Sequence, residues 1–245
     1  MRFVDSHLHL YAAEAGNQMA LAEATQTLLV TCSEDQETSS ATLTQAETYP
    51  RTVKAFVGVH PSEALKTTSL AWLKQDLRRA SGIGEIGLDP KYSEKDSGSA
   101  QMKTFLAQLE MAQAARKPIQ VHSRDAEREC LDGLGGFDLG AVLMHWFLGE
   151  RFLQEVIGKG YYVSFGPSLV YSRKLQRMAL RFPHDKILTE TDSPVRFGPL
   201  GGARGPSLLP SVVFKLSELW GEEFEETRAA LTRNALRFLG LPEKS

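Results

Sequence analysis

The segment Phe3-Val4-Asp5-Ser6-His7-Leu8-His9 begins as an apolar strand and ends in polar side chains. Because side chains alternate between the two faces of an extended strand, Asp5, His7 and His9 share one face. Two imidazoles placed two residues apart can reach a single ion. The same change from an apolar strand to polar side chains recurs along the chain, so this pattern bears on both the fold and the site.

Short apolar or β-branched runs alternate with amphipathic segments throughout the sequence. Eight of these runs are predicted to be strands: Arg2–Val4, Thr27–Thr31, Val53–Val59, Gly82–Leu88, Pro118–Val121, Ala141–Met144, Tyr161–Phe165 and Lys186–Thr191. The clearest helical stripe runs from Met102 to Leu109, and a final helix from Phe224 to Phe238 is followed by Gly240. Eight strand-helix units in this length predict a (β/α)8 barrel of the TIM type, closed by a C-terminal helix, rather than an open doubly wound sheet.

Length and composition are those of an ordinary globular protein. The chain has 245 residues, a formal net charge of −2, 42% hydrophobic residues and two cysteines. We expect one domain over residues 1–245, with no apolar run near the ~20 residues that cross a bilayer. Met1-Arg2-Phe3-Val4-Asp5 reaches an acidic residue too soon for a signal peptide, and the two cysteines form no Cys-x-x-Cys pair. These features predict a cytoplasmic protein with reduced thiols, no membrane segment and no obligate protein partner.

Polar residues follow or end six of the predicted strands. In a (β/α)8 barrel the carboxyl ends of the strands form the active site. Four histidines and two carboxylates are therefore expected to gather there: His7, His9, His122, His145, Glu85 and Asp192. Each alone has a simpler explanation, because a single histidine is often a hydrogen-bonded structural residue and a single carboxylate can cap the next helix. Together they would be a costly polar cluster unless a cation satisfied them.

The donor types limit the choice of metal. Nitrogen and carboxylate ligands without thiolate suit Zn²⁺, Mn²⁺ or Mg²⁺. Six donors are too many for one tetrahedral ion, so we expect two divalent ions ~3.5–4 Å apart that supply a bridging hydroxide as nucleophile. Serine chemistry is disfavoured because no Gly-x-Ser-x-Gly elbow is present, and Gly82-Ile83-Gly84 lacks the third glycine of a dinucleotide site.

The order of these motifs resembles the TatD family of metal-dependent hydrolases. The resemblance is carried by Asp5-Ser6-His7-Leu8-His9, Gly58-Val59-His60-Pro61, Gly84-Glu85-Ile86-Gly87-Leu88-Asp89, Val121-His122-Ser123-Arg124-Asp125-Ala126, His145-Trp146-Phe147, Glu190-Thr191-Asp192-Ser193-Pro194 and the closing segment Asn234 to Leu239. It covers essentially the whole chain. It implies a (β/α)8 barrel with a one- or two-metal centre and metal-dependent DNase activity, often exonucleolytic.

The resemblance also implies a role for each polar group. It implies that one ion is held by His7, His9, Glu85 and Asp192. The second ion would be held by Glu85, His122 and His145, with Glu85 bridging, while Asp192 orients or deprotonates the attacking water. Three further carboxylates would hold the ligand imidazoles or the backbone in place: Asp5, Asp89 and Glu190. The predicted catalytic residues are Asp192, Glu85, His60 and Arg124.

Substrate contacts are expected at the rim of the site. The resemblance implies that His60 and Arg124 face the substrate, where they would contact a phosphate oxygen. Arg204 and Trp146 are further predicted substrate contacts. Arg124 has an alternative, an ion pair with Asp125 or Glu127 on the following helix. The aromatic residues Tyr92, Trp146 and Phe147 either stack on a base or pack in the core.

The sequence departs from the family in two places. The glycine- and proline-rich segment 194–210 keeps only Arg204 and Pro206 of a usually basic stretch, and Trp146 stands where a cysteine is common. Three functions are therefore considered: a DNase acting on DNA ends or single strands, an ester or amide hydrolase such as a deacylase of misacylated tRNA, and a non-enzymatic barrel. For a DNase with a net charge of −2, positive charge must come locally from two ions with His60, Arg124 and Arg204, so long duplex should bind weakly.

Overall fold

The barrel predicted from the sequence is confirmed. The computed structural model describes residues 2–10, 12–92, 97–202 and 204–243. Its eight strands form one sheet in sequence order, and each hydrogen-bonded pair of neighbours is parallel. The strands are β1 (Phe3–Leu8), β2 (Thr27–Cys32), β3 (Val53–Val57), β4 (Gly82–Gly87), β5 (Ile119–His122), β6 (Val142–Met144), β7 (Tyr162–Phe165) and β8 (Ile187–Thr189).

Helices follow the strands and cover the outside of the sheet. They are α1 (Ala12–Thr25), α2 (Gln36–Thr48), α3 (Ala71–Asp76), α4 (Ser97–Ala115), α5 (Glu127–Leu134), α6 (Leu153–Gly158), α7 (Arg173–Arg181), α8 (Leu209–Trp220) and α9 (Phe224–Phe238). The predicted closing helix is α9, and the glycine- and proline-rich segment 194–210 contains two short 3-10 turns before α8 begins. Among the helices that the structure describes, none is both long and apolar enough to cross a membrane.

Hydrogen bonds across the seam between β1 and β8 bring the ends of the sheet together. The backbone N–H of Asp192 donates to the carbonyl of His7 at 3.0 Å, and the N–H of His9 donates to the carbonyl of Ser193 at 2.7 Å. Three residues earlier on each strand, the hydroxyl of Thr189 donates to the carbonyl of Val4 at 2.9 Å. The seam therefore places the segment after β8 beside the two histidines of β1, although about 180 residues separate them in sequence.

The first strand is longer than the sequence predicted. It runs to Leu8 rather than ending at Val4, so His7 lies within the strand and His9 just after it. The prediction was short because Asp5 and Ser6 are polar, yet both are fully buried in the structure. A polar residue therefore does not mark the end of this strand, because both faces of β1 are buried here.

A glycine brings β4 close to β5. Gly87 has φ of +144°, and a Cβ at this position would stand 1.9 Å from the carbonyl oxygen of His122. Only glycine fits both the backbone conformation and this approach. The close contact fixes the height of β4 against β5 and so places Glu85 beside His122.

Candidate metal centre

Glu85 lies at the centre of the polar cluster. Its Oε2 atom is 3.5 Å from Nε2 of His7 and 3.2 Å from Nε2 of His9. Its Oε1 atom is 2.5 Å from Nδ1 of His122 and 2.7 Å from Nε2 of His145. The two oxygens of one carboxylate thus face two different pairs of histidines, which is the arrangement that a bridging ligand requires.

Asp192 completes the group on the β1 side. Its Oδ1 atom lies 3.5 Å from Nε2 of His7 and 3.8 Å from Nε2 of His9. The residue has φ of +48°, a conformation that aspartate and asparagine tolerate better than most side chains. Two imidazole nitrogens and two carboxylate oxygens therefore converge here from β1, β4 and the end of β8.

The residues present fit a metal ion. Nε2 of His7 is buried and has no hydrogen-bond partner among the described residues, although two carboxylates face it. Ligands at ~2.1 Å from a tetrahedral ion stand ~3.4 Å apart, and the four distances from His7 and His9 to the carboxylates span 3.2–3.8 Å. Ligand atoms within 4.8 Å of one another also occur in the sets His7–Glu85–His145 and His60–Glu85–His122.

The imidazoles of the cluster keep its two central carboxylates ionised. Burial alone would raise the pKa of Glu85, but the surrounding histidines, His145 first, hold it well below its usual range. Burial opposes ionisation of Asp192 as well, and its contact with His7 nevertheless lowers its pKa. Burial lowers the pKa of His60 to about 3. The site therefore combines two ionised carboxylates with a neutral imidazole at its rim.

Three buried carboxylates lie beside the cluster: Asp5, Asp89 and Glu190. Thr191 donates its N–H and its hydroxyl to Asp5, at 2.8 and 2.6 Å, which fixes the backbone next to Asp192. Burial raises the pKa of Asp5 to about 7. Asp89 accepts from Nε2 of His122 at 2.7 Å and therefore orients that ring.

The third carboxylate, Glu190, holds the end of β6. Its Oε1 atom accepts from the N–H of Trp146 at 2.9 Å, and its Oε2 atom accepts from the hydroxyl of Ser164 at 2.6 Å. Nδ1 of His145 is 3.8 Å from Oε2, beyond hydrogen-bond distance. Glu190 thus positions the backbone beside His145 rather than the imidazole itself.

Comparison with known proteins identifies the family. The family model described as TatD related DNase matches residues 4–240. The chain belongs to the TatD family. It is 30% identical to "Uncharacterized metal-dependent hydrolase YabD" of Bacillus subtilis, over 95% of this chain and 97% of the relative. It is 29% identical to "3'-5' ssDNA/RNA exonuclease TatD" of Pectobacterium carotovorum, over 87% and 88%.

The TatD barrel is also recovered among solved structures. The crystal structure of YJJV, a TatD homologue from Escherichia coli, superposes with a TM-score of 0.88 at 25% identity, over 98% of this chain and 99% of that one. The TatD family and the predicted enzyme class, a metal-dependent hydrolase, are thereby confirmed. The alternative of a non-enzymatic barrel is not supported.

In this TatD protein the cluster of candidate metal ligands around Glu85 opens into a cavity of about 450 Å³. The lining residues are His9, Glu34, His60, Glu85, Tyr92, His122, Ser123, Arg124, Glu127, His145, Trp146, Leu148, Asp192, Pro194 and Val195. Three predicted substrate contacts, His60, Arg124 and Trp146, are among them. Phe147 is buried in the core, which confirms the packing alternative for that residue.

Arg204, the fourth predicted substrate contact, is not among the residues that line the cavity. The turn that follows it, Pro206–Leu208, packs back against α1. Arg204 itself makes interactions within the chain. Of the two arginines predicted to contact substrate, Arg124 therefore lines the cavity and Arg204 does not.

Arg124 does not form the ion pair with its sequence neighbours that was considered as an alternative. Its Nη2 atom donates to Oδ2 of Asp89 at 2.7 Å, and its guanidinium lies 5.2 Å from the ring centre of Tyr92. Asp125 is instead paired with Lys91 at 3.1 Å. Because Asp89 also binds His122, one carboxylate holds both a cluster imidazole and the cavity arginine.

Gln120 contacts the cluster, although the pattern of strand ends did not indicate this. Its Oε1 atom accepts from Nδ1 of His7 at 2.6 Å, and its Nε2 atom donates to the carbonyl of Ser6 at 2.9 Å. With the proton of His7 held on Nδ1, the lone pair of Nε2 points at Glu85 and Asp192. The signal was present in the sequence, because Gln120 lies two residues before His122 and so on the same face of β5.

We expect Gln120→Leu to weaken metal binding by about 10- to 100-fold, because the ring of His7 loses the partner that sets its tautomer and orientation. Calorimetric titration of metal-free protein with Zn²⁺ or Mn²⁺ measures this change. The matched control is Gln75→Leu at an exposed position of α3, which should leave the affinity unchanged. Equal affinities for Gln120→Leu and the unsubstituted protein would show that His7 needs no such support.

Proposed function

We propose that this TatD-family protein is a divalent-metal-dependent phosphodiesterase that removes nucleotides from DNA ends or single strands. One observation carries the proposal: the donor cluster around Glu85 opens into a cavity whose wall presents His60 and Arg124. A neutral imidazole and a guanidinium beside metal ligands suit the oxygens of a phosphodiester. The nuclease name of the Pectobacterium relative supports this choice of bond.

Two groups of residues would hold the ions. These are His7, His9, Glu85 and Asp192 on one side, and Glu85, His122 and His145 on the other. Zn²⁺, Mn²⁺ and Mg²⁺ fit these nitrogen and oxygen donors. Bound divalent ions supply Lewis acidity, which neutralises charge on the phosphoryl oxygens and lowers the pKa of water.

The protein's own side chains would position the substrate and move the proton. Asp192, kept ionised, accepts the proton of the attacking water. Nδ1 of His60 accepts a hydrogen bond from the N–H of Ser62 at 3.2 Å, so the proton of the neutral ring stands on Nε2. His60 can then donate to a phosphate oxygen, while Arg124 holds a second oxygen in the orientation set by Asp89.

The size and wall of the cavity favour an unpaired nucleotide. A volume of about 450 Å³ lies in the range of sites for one small ligand. Tyr92 and Trp146 offer aromatic faces in the same cavity, and stacking on an aromatic ring is the usual way to hold an unpaired base. We therefore propose that a single terminal nucleotide enters the cavity and that intact duplex does not.

The test is degradation of end-labelled single-stranded DNA by metal-loaded protein. We expect stepwise shortening by single nucleotides with Mg²⁺, Mn²⁺ or Zn²⁺, loss of activity with chelator, and slower cleavage of blunt duplex, because a paired end must first be opened. The products are resolved on a sequencing gel. Absence of nucleotide release with all three metals would contradict the proposal.

A second candidate is hydrolysis of a carboxylic ester or amide, including an aminoacyl ester on a misacylated tRNA. The observation that favours it is the position of Arg204, which is not part of the cavity lining. An ester and amide panel assayed beside the oligonucleotides separates the two functions. Turnover of an ester with no release of nucleotides would establish this second function.

A further inference from the structure

A second groove adjoins the catalytic cavity. It has a volume of about 690 Å³ and shares Glu127 and Leu148 with that cavity. On its far side it is lined by Arg151 and Gln154, around the start of α6, and by Lys174 and Arg181 of α7. The two depressions are therefore neighbours, and the exposed side chain of Leu148 lines both of them.

Helix α7 carries a concentration of positive charge. Its nine residues include Arg173, Lys174, Arg177 and Arg181 and no acidic residue. Among the described residues, Arg177 and Arg181 face Glu150 at 3.6 and 3.2 Å, whereas no ion pair of Arg173 or Lys174 is found. Cations in the first turn of a helix oppose its dipole, so Arg173 and Lys174 do not stabilise α7. Of the two, Lys174 lines the groove, and its charge is available to a ligand there.

Carboxylates in the groove offset only part of this charge. Asp125 is paired with Lys91, and Glu150 already faces two arginines. Glu127 is the other acidic residue of the lining. Arg151 adds a further cation, with its guanidinium 4.5 Å from the ring centre of Phe152. The lining itself holds three cations and three carboxylates, but with the ion-pair partners Lys91 and Arg177 this face carries five cations against three carboxylates, on a chain whose net charge is −2.

We infer that this groove binds the phosphodiester backbone of the single strand beyond the nucleotide in the catalytic cavity. The inference rests on the proposed phosphodiesterase function and extends it from one nucleotide to a longer strand. A nearly neutral protein gains affinity for a polyanion only where cations are grouped, and this group lies in a groove next to the cavity. The groove therefore sets a preference for oligonucleotides over dinucleotides.

The test compares a decathymidylate with a thymidine dinucleotide as substrates of the metal-loaded enzyme. In the double variant Arg151→Glu with Lys174→Glu, we expect kcat/KM for the decamer to fall by about tenfold and by at least ~5-fold more than for the dinucleotide. The salt dependence for the decamer should become shallower by ~0.7 in log-log slope per lost phosphate contact. The control is Arg78→Glu with Lys103→Glu, two exposed basic positions outside both depressions.

Binding of fluorescent decathymidylate in chelator gives a second measurement that needs no hydrolysis. We expect weaker binding by the groove variant than by the unsubstituted protein and the control. Equal losses in the groove variant and the control, equal losses for the two substrates, or unchanged decamer binding would overturn the inference. If no phosphodiester is cleaved while binding still depends on the groove, the proposed function is wrong, but the inference that the groove binds a single strand still holds.

Discussion

Glu85→Gln should lower hydrolytic activity by about a thousandfold and remove most of the bound metal. The carboxylate presents one oxygen to His7 and His9 and the other to His122 and His145, so a single substitution alters both groups of donors. Loss of Lewis acidity worth several kcal/mol corresponds to this factor at ~1.4 kcal/mol per tenfold change in rate. Glutamine keeps the shape of the side chain and removes its negative charge.

Two measurements separate this effect from misfolding. Elemental analysis gives the number of ions per chain, and thermal unfolding without metal shows whether the barrel is intact. The matched control is Glu110→Gln, an exposed position on α4, which should keep both activity and metal content. A Glu85→Gln protein that retains two ions and more than a tenth of the activity would contradict a bridging role.

The sequence predicted the fold and the membership of the cluster from local pattern. A short stretch of sequence, such as Phe3 to His9, is enough to show an apolar strand that ends in polar side chains on one face. Chain topology then supplies the rest, because all strands of a (β/α)8 barrel present their carboxyl ends on one side. The donors on β1, β4, β5, β6 and β8 could thus be assigned to one place without knowledge of any distance.

Contacts between distant segments could not be predicted in this way. The sequence suggests an ion pair of Arg124 with its neighbours Asp125 or Glu127. The structure instead pairs Arg124 with Asp89, which follows β4. That pair depends on the height of β4 against β5, which the close approach at Gly87 sets. Gln120 was missed for a related reason, because a polar residue inside a strand has no evident function until its partner is known.

The position of segment 194–210 depends on packing that the sequence does not display. Its glycines and proline-rich composition indicated a loop near the substrate, which included Arg204. In the structure the segment contains 3-10 turns, and its second turn packs against α1. Composition therefore predicted an irregular segment correctly, and its first residues, Pro194 and Val195, line the cavity, but composition did not indicate that Arg204 would lie outside the lining.

Asp192→Asn is expected to lower kcat by about 10²- to 10⁴-fold, the usual contribution of a general base. Asparagine tolerates the positive φ of this position as well as aspartate does, so the hydrogen bond from its N–H to His7 should persist. Alanine would add backbone strain and confuse the result. The substitution therefore isolates the negative charge from the shape of the site.

The pattern of losses distinguishes Asp192 from Glu85. Asp192 contributes to one group of donors and Glu85 to both, so Asp192→Asn should retain more metal than Glu85→Gln, and its loss should fall mainly on kcat. Steady-state kinetics with a labelled oligonucleotide, together with metal content, measure both quantities, and Asp138→Asn is the exposed control. If Asp192→Asn instead loses all metal and recovers full activity at high metal concentration, Asp192 acts only as a ligand, and the attacking water loses its proton to another group.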